Sequence, residues 1–518
     1  MRIPTGSRFD FAILALAICS VVSPVLGDEV ILDWDIDLAQ SSQEARVDAA
    51  GNVYSVTGVN LLKIDLDGNV LWTRALDTVG GYVYVGGRLA IDPDGNVLVI
   101  GTNWLVEPNA LLTLKFDPDG NLLWESVMST TSGPRRVETD AAGNVYVLAQ
   151  TNSSLEDFVT GKYDPDGNLL WRNVFVGGVI NEPSHLAVTP DGVVAVVGRS
   201  NVVGNSYDTS VVVYETDGTQ RWWRNHTSTS SGGGSDRGTG VAFGPAGEVY
   251  VGGSCEHADA DWDATLIKYD ADGNEQWVRH HNFNPGPNSY DSIIWVGVDS
   301  SGDVLAAGQG DSGDIVAFKY DADGNQLWVR QHDGGDGGYN YLLYMVVGPY
   351  DDAMYLSGVN TLNKTLAIKY DTAGNLRWTY LHTYGGFTTY YGTSIAIDPG
   401  NNVVLGKYGR PVQHLLQSDC ALGPPAEVHR VRMGPDRVYW TPGHNGEQYD
   451  VARGDIALLK AEGLLECVVI ETAMTSWPDT EMPLPGEVIG YMVRPTNVCG
   501  VGEWGRGTNN TARAAVCP

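Results

Sequence analysis

The chain has 518 residues, of which 63 are acidic and 32 are basic, and its formal net charge is −31. This acidity excludes nucleic acid and anionic membrane as partners, because both require a basic protein surface. The length exceeds the roughly 250 to 300 residues at which a single hydrophobic core stops growing, so the fold must be modular.

The first segment predicts export. Arg2 and Arg8 precede an apolar run from Phe11 to Val22, and Gly27 supplies a small residue before Asp28. This order is typical of a secretory signal peptide, which we assign to residues 1–27. No later stretch has the roughly 18 apolar residues that a membrane-spanning helix needs. We therefore expect a monomeric protein without a membrane span, either secreted, at the cell surface or in the periplasm.

Tryptophan recurs along the chain at intervals of 38 to 55 residues, which indicates a repeat architecture. The unit from Asp291 to Trp328 contains four short segments rich in β-branched or aromatic residues, each bounded by Gly or Asp, as strands are. Four antiparallel strands per roughly 50 residues describe a blade of a β-propeller. We expect a structural role for the repeated tryptophans, which should pack between neighbouring blades: Trp34, Trp72, Trp124, Trp171, Trp222, Trp277, Trp328 and Trp378.

The number of blades depends on the two ends of the repeat region. The last repeat ends in HLLQSD and has no fourth strand, whereas the segment from Glu29 to Leu38 carries Trp34 with nothing before it to pair with. This segment can complete the eighth blade, and closure would remove two exposed sheet edges. The sequence thus predicts an all-β, eight-bladed propeller over residues 28–418, closed by an N-terminal strand. A seven-bladed ring is the alternative.

The repeats also carry a family resemblance. The phrases GVAFGPAGEVYVGG and DATLIKYDADGNEQW resemble bacterial SBBP-type β-propeller repeats, and the resemblance covers about residues 28–418. The third and fourth strands are similar to the tryptophan-docking motif of quinoprotein-like propellers, with an Asp-to-Gly spacing that is one residue shorter. Such resemblances imply a fold and leave the function open, because unrelated sites are built on one fold.

Two sets of repeat positions are candidates for ligand contact. The links between blades vary in length and content, so we expect a ligand to meet the face that carries them. A half-buried packing role is favoured over a ligand role for four histidines that each follow their blade tryptophan by four residues: His226, His281, His332 and His382. Leu38, Leu76, Met128 and Phe175 take the same position in the other blades.

The second set lies at the start of the innermost strands. Asp236, Asp291 and Asn340 share this position and are candidates for a calcium site or for contact with a polar ligand. Capping of the strand by these side chains is the alternative. We predict no other metal and no cofactor, because the chain has no HExxH, His-x-His or paired Cys/His cluster.

The C-terminal part differs in composition. Residues 419–426 form a Pro-containing linker, and residues 427–518 predict a β-sandwich. The phrase LPGEVIGYMVRPTN resembles the fibronectin type III family, and the resemblance implies that the Tyr491 hydroxyl ties the preceding loop to its strand. Four clustered cysteines predict two disulfides in an exported protein: Cys420, Cys467, Cys499 and Cys517. Three pairings are open, and Cys467–Cys499 with Cys420–Cys517 is the favoured one.

The sequence favours an exported, non-enzymatic binding or surface-interaction protein that uses the variable-loop face, with a protein or glycan as its partner. A propeller enzyme is the alternative, namely a quinoprotein-like dehydrogenase, a lactonase or a lyase. The chain lacks the adjacent cysteines that quinoprotein dehydrogenases often carry. A purely structural extracellular spacer is the third hypothesis. No catalytic residue is predicted.

Overall fold

The computed structural model describes most of the propeller and the strands of the C-terminal part. The described residues are 29–36, 42–57, 59–76, 83–103, 110–129, 131–151, 157–201, 206–227, 234–256, 261–283, 289–310, 313–333, 339–362, 364–383, 393–407, 412–418, 430–433, 437–441, 448–455, 466–472, 476–478, 489–497 and 500–501. All regular elements in these ranges are β-strands. No helix in them is long and apolar enough to cross a membrane.

The strands form eight four-stranded antiparallel sheets, one per blade, and these confirm the eight-bladed propeller. The first strand is β1 (Glu29–Ile36), and seven blades follow in chain order. Blades 1 to 3 are β2 (Ser42–Val47), β3 (Val53–Thr57), β4 (Asn60–Ile64) and β5 (Val70–Ala75); β6 (Val83–Ile91), β7 (Val97–Asn103), β8 (Ala110–Phe116) and β9 (Leu122–Met128); and β10 (Thr131–Thr139), β11 (Val145–Thr151), β12 (Phe158–Tyr163) and β13 (Leu169–Phe175).

The remaining blades repeat this order. Blades 4 to 7 are β14 (Asn181–Val188), β15 (Val194–Ser200), β16 (Asp208–Tyr214) and β17 (Gln220–His226); β18 (Asp236–Phe243), β19 (Val249–Glu256), β20 (Trp262–Tyr269) and β21 (Glu275–His281); β22 (Ser292–Val298), β23 (Val304–Gln309), β24 (Ile315–Tyr320) and β25 (Gln326–His332); and β26 (Asn340–Val347), β27 (Met354–Asn360), β28 (Lys364–Tyr370) and β29 (Leu376–Thr383). Blade 8 comprises β30 (Thr393–Ile397), β31 (Val403–Lys407), β32 (Val412–Ser418) and β1. We call the first strand of each blade its inner strand and the fourth its outer strand.

The ring is closed by the N-terminal strand, as the sequence predicted. Strand β1 pairs antiparallel with β32, with Trp34 opposite His414 and Leu32 opposite Leu415. The His414 imidazole lies 3.0 Å from an oxygen of Asp33 on β1 and 3.0 Å from an oxygen of Asp398 at the end of β30. Burial acts to lower the pKa of His414, but hydrogen bonds to the two carboxylates outweigh it, and the pKa is raised. The seven-bladed alternative is wrong.

The repeated tryptophans contact the hairpin turn of the following blade. The Trp124 indole nitrogen donates to the Pro165 carbonyl at 3.0 Å, and its ring lies against Gly167. Gly167 has a φ of +89°, and a Cβ built there would be 2.6 Å from the ring. The turn therefore requires glycine for both its backbone conformation and the space it leaves.

Blade 8 has no covalent turn between its last two strands, and a side chain takes the place of the missing carbonyl. The Gln417 side-chain oxygen accepts from the Trp378 indole at 3.1 Å and from the Lys369 ammonium at 2.9 Å. In other blades a turn carbonyl, such as that of Pro118, accepts from both a tryptophan and a lysine. The junction of the two chain ends is thus matched to the contacts of the other blades.

The hydrophobic core is divided among the blade interfaces. The described residues form eight apolar clusters, and each joins two neighbouring blades, including blade 8 with blade 1. The last of these places Val404 and Val412 of blade 8 against Ala45 and Val53 of blade 1. A chain of this length therefore buries many small cores in series and needs no single large one.

The C-terminal strands form two further antiparallel sheets. The strands are β33 (Arg430–Met433), β34 (Arg437–Thr441), β35 (Gln448–Asp455), β36 (Glu466–Thr472), β37 (Ser476–Pro478), β38 (Ile489–Asn497) and β39 (Gly500–Val501), in the orders β33-β34-β37 and β36-β35-β38-β39. Tyr491 lies in β38 opposite Arg453. The Tyr491 hydroxyl and the thiols of Cys420, Cys467, Cys499 and Cys517 lie outside the described part of the chain, so their predicted roles stay predictions. The Cys255 side chain is buried, and its sulfur accepts from the Thr265 hydroxyl at 3.0 Å.

Candidate functional site

The inner strands of seven blades each have a β-bulge where they pair with the second strand of the blade, and the bulge marks one residue per blade. In blades 1 to 7 the pairing between the first and second strands shifts register once. The first residue after the shift lies four positions before the start of the hairpin turn that joins the two strands. Bulges of this kind redirect a side chain and are common beside functional sites. The residues at this position, with their counterpart in β30, form what we call the channel ring: Glu44, Arg88, Arg136, His185, Gly240, Trp295, Tyr344 and Ser394.

Five members of the channel ring line one cavity of about 330 Å³. The cavity is bounded by the inner strands of blades 2 to 7, and every lining residue lies at the ring position or within three residues before it. It therefore occupies the central channel at the level of the middle of the inner strands. Ligand contact on the face that carries the links between blades stays a prediction. The volume is within the range of small-molecule sites.

The cavity is cationic, although the whole chain is strongly acidic. Arg88, Arg136 and Arg237 are among its lining residues. The one lining carboxylate, Glu182, is already neutralised, because it forms a two-pronged hydrogen bond with Arg199 at 2.8 and 3.1 Å. Positive charge is thus concentrated in a concave site, which focuses its field.

Two acidic side chains beside the cavity compensate part of this charge. Glu44 forms an ion pair with Arg46 in the same strand, and it also accepts from the Leu89 backbone N–H of the next blade at 3.2 Å. Arg136 lies 3.2 Å from Glu138. Burial acts to lower the pKa of Arg46, but the charges of Glu44 and Glu138 outweigh it and raise the pKa. Burial also acts to lower the pKa of Arg88, but its interaction with Tyr344 and the charge of Glu44 outweigh this and raise the pKa. No carboxylate lies within ion-pair distance of Arg88 among the described residues, and its described contacts are with the Tyr344 hydroxyl and ring.

His185 is the titratable group at the centre of this arrangement. Neither of its ring nitrogens is exposed, and neither has a hydrogen-bond partner among the described residues. Burial lowers the pKa of His185 well below its ordinary value, and the charges of Arg136, Arg88 and Arg46 lower it further. The imidazole is therefore neutral at neutral pH, with one nitrogen that can accept a proton and one that can donate.

Two aromatic residues, Trp295 and Tyr344, also line the cavity. The Trp295 ring centroid is 5.1 Å from that of His185 and 4.8 Å from that of Tyr344. The Arg136 guanidinium lies over Trp295 at 4.9 Å, and the Trp295 indole donates to the Leu343 carbonyl of the next blade at 2.8 Å. Burial and the charge of Glu44 raise the pKa of Tyr344, so its hydroxyl keeps its proton.

A second hollow, of about 810 Å³, lies at the hairpin-turn end of blades 4 to 6. Its charged side chains are engaged elsewhere: Arg221 lies 2.7 Å from Glu215, and Asp299 lies 2.7 Å from Lys319. The third charged lining residue, Asp191, accepts from the Thr189 hydroxyl at 2.5 Å. Among the described residues this hollow offers no unpaired cation, and the arginine-lined cavity is the stronger candidate for an anion.

The three polar residues that the sequence proposed for calcium are buried where the inner strands begin, and they do not line the cavity. Their backbone N–H groups donate to carbonyls of the preceding blade: Asp236 to Tyr207 at 2.6 Å, Asp291 to Trp262 at 2.7 Å and Asn340 to Gly313 at 2.6 Å. Among the described residues no three His, Cys, Asp or Glu side chains are close enough together to hold a metal ion. The calcium site stays a prediction.

The four repeated histidines lie half-buried on the outer strands of blades 4 to 7, away from the cavity. The His226 imidazole is 3.1 Å from Glu275, and that of His382 is 3.1 Å from the Tyr380 hydroxyl. The His281 ring centroid is 4.6 Å from that of Phe318. The His332 Nε2 atom is buried without a hydrogen-bond partner among the described residues. A ligand role for these four histidines stays a prediction.

The channel ring itself was missed from sequence. Its members share no residue type, so a search for repeated residues passes over them. Counting four residues back from each first hairpin turn would have found them, because that position holds Arg88, Arg136 and His185, whereas the next position is apolar in every blade.

Comparisons with known proteins agree with the fold. Residues 156–386 match a family model described as outer membrane protein assembly factor BamB. This stretch is less than half of the chain. No curated protein matches the sequence at a significant level.

Among solved structures, a streptogramin B lyase matches with a TM-score of 0.41 and 10% identity, over 76% of this chain and 98% of that one. A periplasmic gluconolactonase from Pseudomonas aeruginosa matches with a TM-score of 0.42 and 13% identity, over 70% and 97%. The WD40 propeller domain of Doa1 gives 0.42 and 10%, over 75% and 97%. At these scores the likenesses carry nothing about function. The SBBP and fibronectin type III resemblances stay predictions.

Proposed function

We propose that this protein is an exported binding protein that holds a small anionic ligand, of the carboxylate class, in the arginine-lined cavity of its propeller. The observation that carries the proposal is the uncompensated charge of the cavity. Among the described residues neither Arg88 nor Arg237 has a carboxylate within ion-pair distance, yet both line the cavity. A carboxylate ligand would supply the missing partner, and guanidinium groups match its two oxygens in geometry.

The overall charge of the chain supports the same ligand class. A protein with a net charge of −31 repels anions at long range, so cationic residues confined to one concave site give it selectivity for small anions that can enter. A polyanion such as nucleic acid would be repelled by the surrounding surface. The proposal therefore keeps the binding role expected from sequence and replaces an unspecified protein or glycan partner with a small carboxylate or a carboxylate-bearing sugar.

The cellular setting belongs to the proposal as well. The predicted signal peptide supports export, with the periplasm, the cell surface and the extracellular space as the places where the ligand would be met. The propeller would act as a monomer, and the C-terminal part would be a fibronectin type III-like appendage that positions it.

A calorimetric titration tests the proposal with a matched pair of sugars. Galacturonate carries a carboxylate that galactose lacks, so we expect binding of the first and none of the second. Arg88→Ala should weaken galacturonate binding by about tenfold or more, because a hydrogen bond to a charged group contributes about 1.5 to 3 kcal/mol.

Arg377→Ala is the charge-matched control. Arg377 lies on an outer strand and is 3.7 Å from Asp371, far from the channel, and its loss should leave the affinity unchanged. If both substitutions weakened galacturonate binding equally, the effect would come from the net charge alone, and the cavity would not be the binding site. A complete lack of binding to galacturonate and to simpler carboxylates would favour the structural spacer.

A propeller enzyme is the second candidate. The neutral imidazole of His185, with two nitrogens that lack partners, favours it. Residues with a shifted pKa are common at sites of proton transfer.

A further inference from the structure

His185 holds a place in the fold that packing alone does not explain. Its two ring nitrogens are buried without hydrogen-bond partners among the described residues, and a buried polar atom left unpaired costs free energy. His185 lines the cavity, whereas Leu186, which follows it in the strand, belongs to the apolar cluster between blades 3 and 4. In native proteins such unsatisfied polar groups are explained by strain, by an ordered water or ion, or by a catalytic role.

We propose that the cavity catalyses β-elimination on a carboxylate-bearing substrate, an inference that rests on the proposed function. His185 would be the base that removes the proton α to the carboxylate. Arg88 and Arg136 would bind the carboxylate. Such a proton is very weakly acidic while the carboxylate keeps its full charge, because removing it adds a second negative charge beside the first. Guanidinium groups fixed beside the substrate would offset that charge as it develops.

Tyr344 supplies the matching acid. Its hydroxyl is protonated and bonded to Arg88, so the same guanidinium would stabilise the phenolate that remains after proton donation. The separations of Trp295 from His185 and from Tyr344 limit the distance between the imidazole and phenol ring centroids to about 10 Å. One substrate unit placed between them can contact both.

The reaction balances without an oxidant or a cofactor. The Cα–H bond breaks and its proton goes to a ring nitrogen of His185, while the electron pair forms the Cα=Cβ bond. The Cβ–O bond breaks, and the leaving oxygen takes the proton of the Tyr344 hydroxyl. Water then returns the proton from the imidazolium to the phenolate, and the products are an unsaturated acid and an alcohol.

The substrate class follows from the required atoms. A carboxylate, an α-proton and a β-linked leaving oxygen occur together in a uronic acid that is glycosidically linked through its 4-oxygen. The cavity of about 330 Å³ can hold one such sugar unit. An exported protein would meet uronate-containing polysaccharides outside the cell.

The test follows the ultraviolet absorbance of the unsaturated uronate when the full chain is incubated with polygalacturonate. We expect absorbance to rise in proportion to protein concentration. His185→Ala should lower the rate by a factor of about 10² or more, as loss of a general base does, and should keep galacturonate binding. His226→Ala, on an outer strand, should leave the rate unchanged.

Three outcomes would overturn the proposal. Galacturonate binding by the wild-type protein with no absorbance change on polygalacturonate would remove the elimination and leave the proposed binding function in place. A wild-type rate in His185→Ala, in a variant shown by its melting curve to be folded, would remove the role of His185. Absence of galacturonate binding would remove both proposals together.

Discussion

At the scale of single residues, the shifted pKa of His185 couples ligand binding to protons. The pKa of the imidazole is lowered by burial and by the three surrounding arginines, so the folded protein binds fewer protons there than the unfolded chain. Stability from this group is present above the ordinary histidine pKa of about 6.5 and is lost as pH falls below it. A bound anion offsets the arginine charges and thereby raises the pKa of His185.

It follows that anion binding takes up protons. We expect the rise in melting temperature caused by galacturonate to grow as pH falls from about 7.5 to about 5.5, a range in which the ligand stays ionised. His185→Gln should abolish this growth while a pH-independent rise remains. A rise that shrinks with falling pH in the wild type would contradict the placement of His185 beside the ligand.

Two glycines of the hairpin turns give a second test at this scale: Gly167 lies between the third and fourth strands of blade 3, and Gly95 lies between the first and second strands of blade 2. Gly167→Ala introduces both a positive φ for a side-chain-bearing residue and a contact of 2.6 Å with the Trp124 ring. Gly95→Ala introduces a similar φ, +80°, but its Cβ would be 3.7 Å from the nearest atom, which belongs to Pro118. The pair separates backbone strain from steric conflict.

In urea denaturation we expect Gly95→Ala to lower the free energy of unfolding by about 1 kcal/mol. Gly167→Ala should lower it by roughly 1 to 3 kcal/mol more, because the tryptophan ring must move. Equal losses would show that the tryptophan docking contributes nothing beyond the turn conformation.

At the scale of elements, the N-terminal strand is held by charge as well as by its ladder. The raised pKa of His414 means that the folded protein binds an additional proton between Asp33 and Asp398. The resulting stability is fully present below the ordinary histidine pKa of about 6.5 and is lost as pH rises through the raised value. The sequence predicted the pairing of β1 with β32, because both ends lacked a partner strand. It could not predict this ion cluster, because Asp33 is 381 residues away from His414 in the chain.

We therefore expect the melting temperature of the wild-type protein to decline on the alkaline side of neutrality, and His414→Gln to flatten this decline and to melt lower at acidic pH. His226→Gln, on the outer strand of blade 4, should leave the pH profile unchanged. A His414→Gln variant with the wild-type profile would show that the strand is held by its backbone ladder alone.

At the level of the whole molecule, the sequence predicted the eight-bladed ring but not the residues of the channel ring at its centre. Residues shared by the blades, such as Trp124 and Gly167, repeat because every blade interface poses the same packing problem. The channel ring differs from blade to blade, with Arg88, His185 and Trp295 in equivalent places, because each blade contributes a different group to one shared site. A search for repeats detects the residues that the blades share. The residues that would form a site on the axis differ between blades, so such a search does not find them.

The central claim is that the axis of this acidic propeller carries an anion site, and anomalous diffraction from crystals soaked in bromide tests it most directly. A small halide should collect where uncompensated guanidinium charge meets a concave surface. The account predicts a leading anomalous peak inside the cavity beside Arg88, which galacturonate displaces. Bromide peaks confined to the outer surface, with none in the cavity, would contradict it.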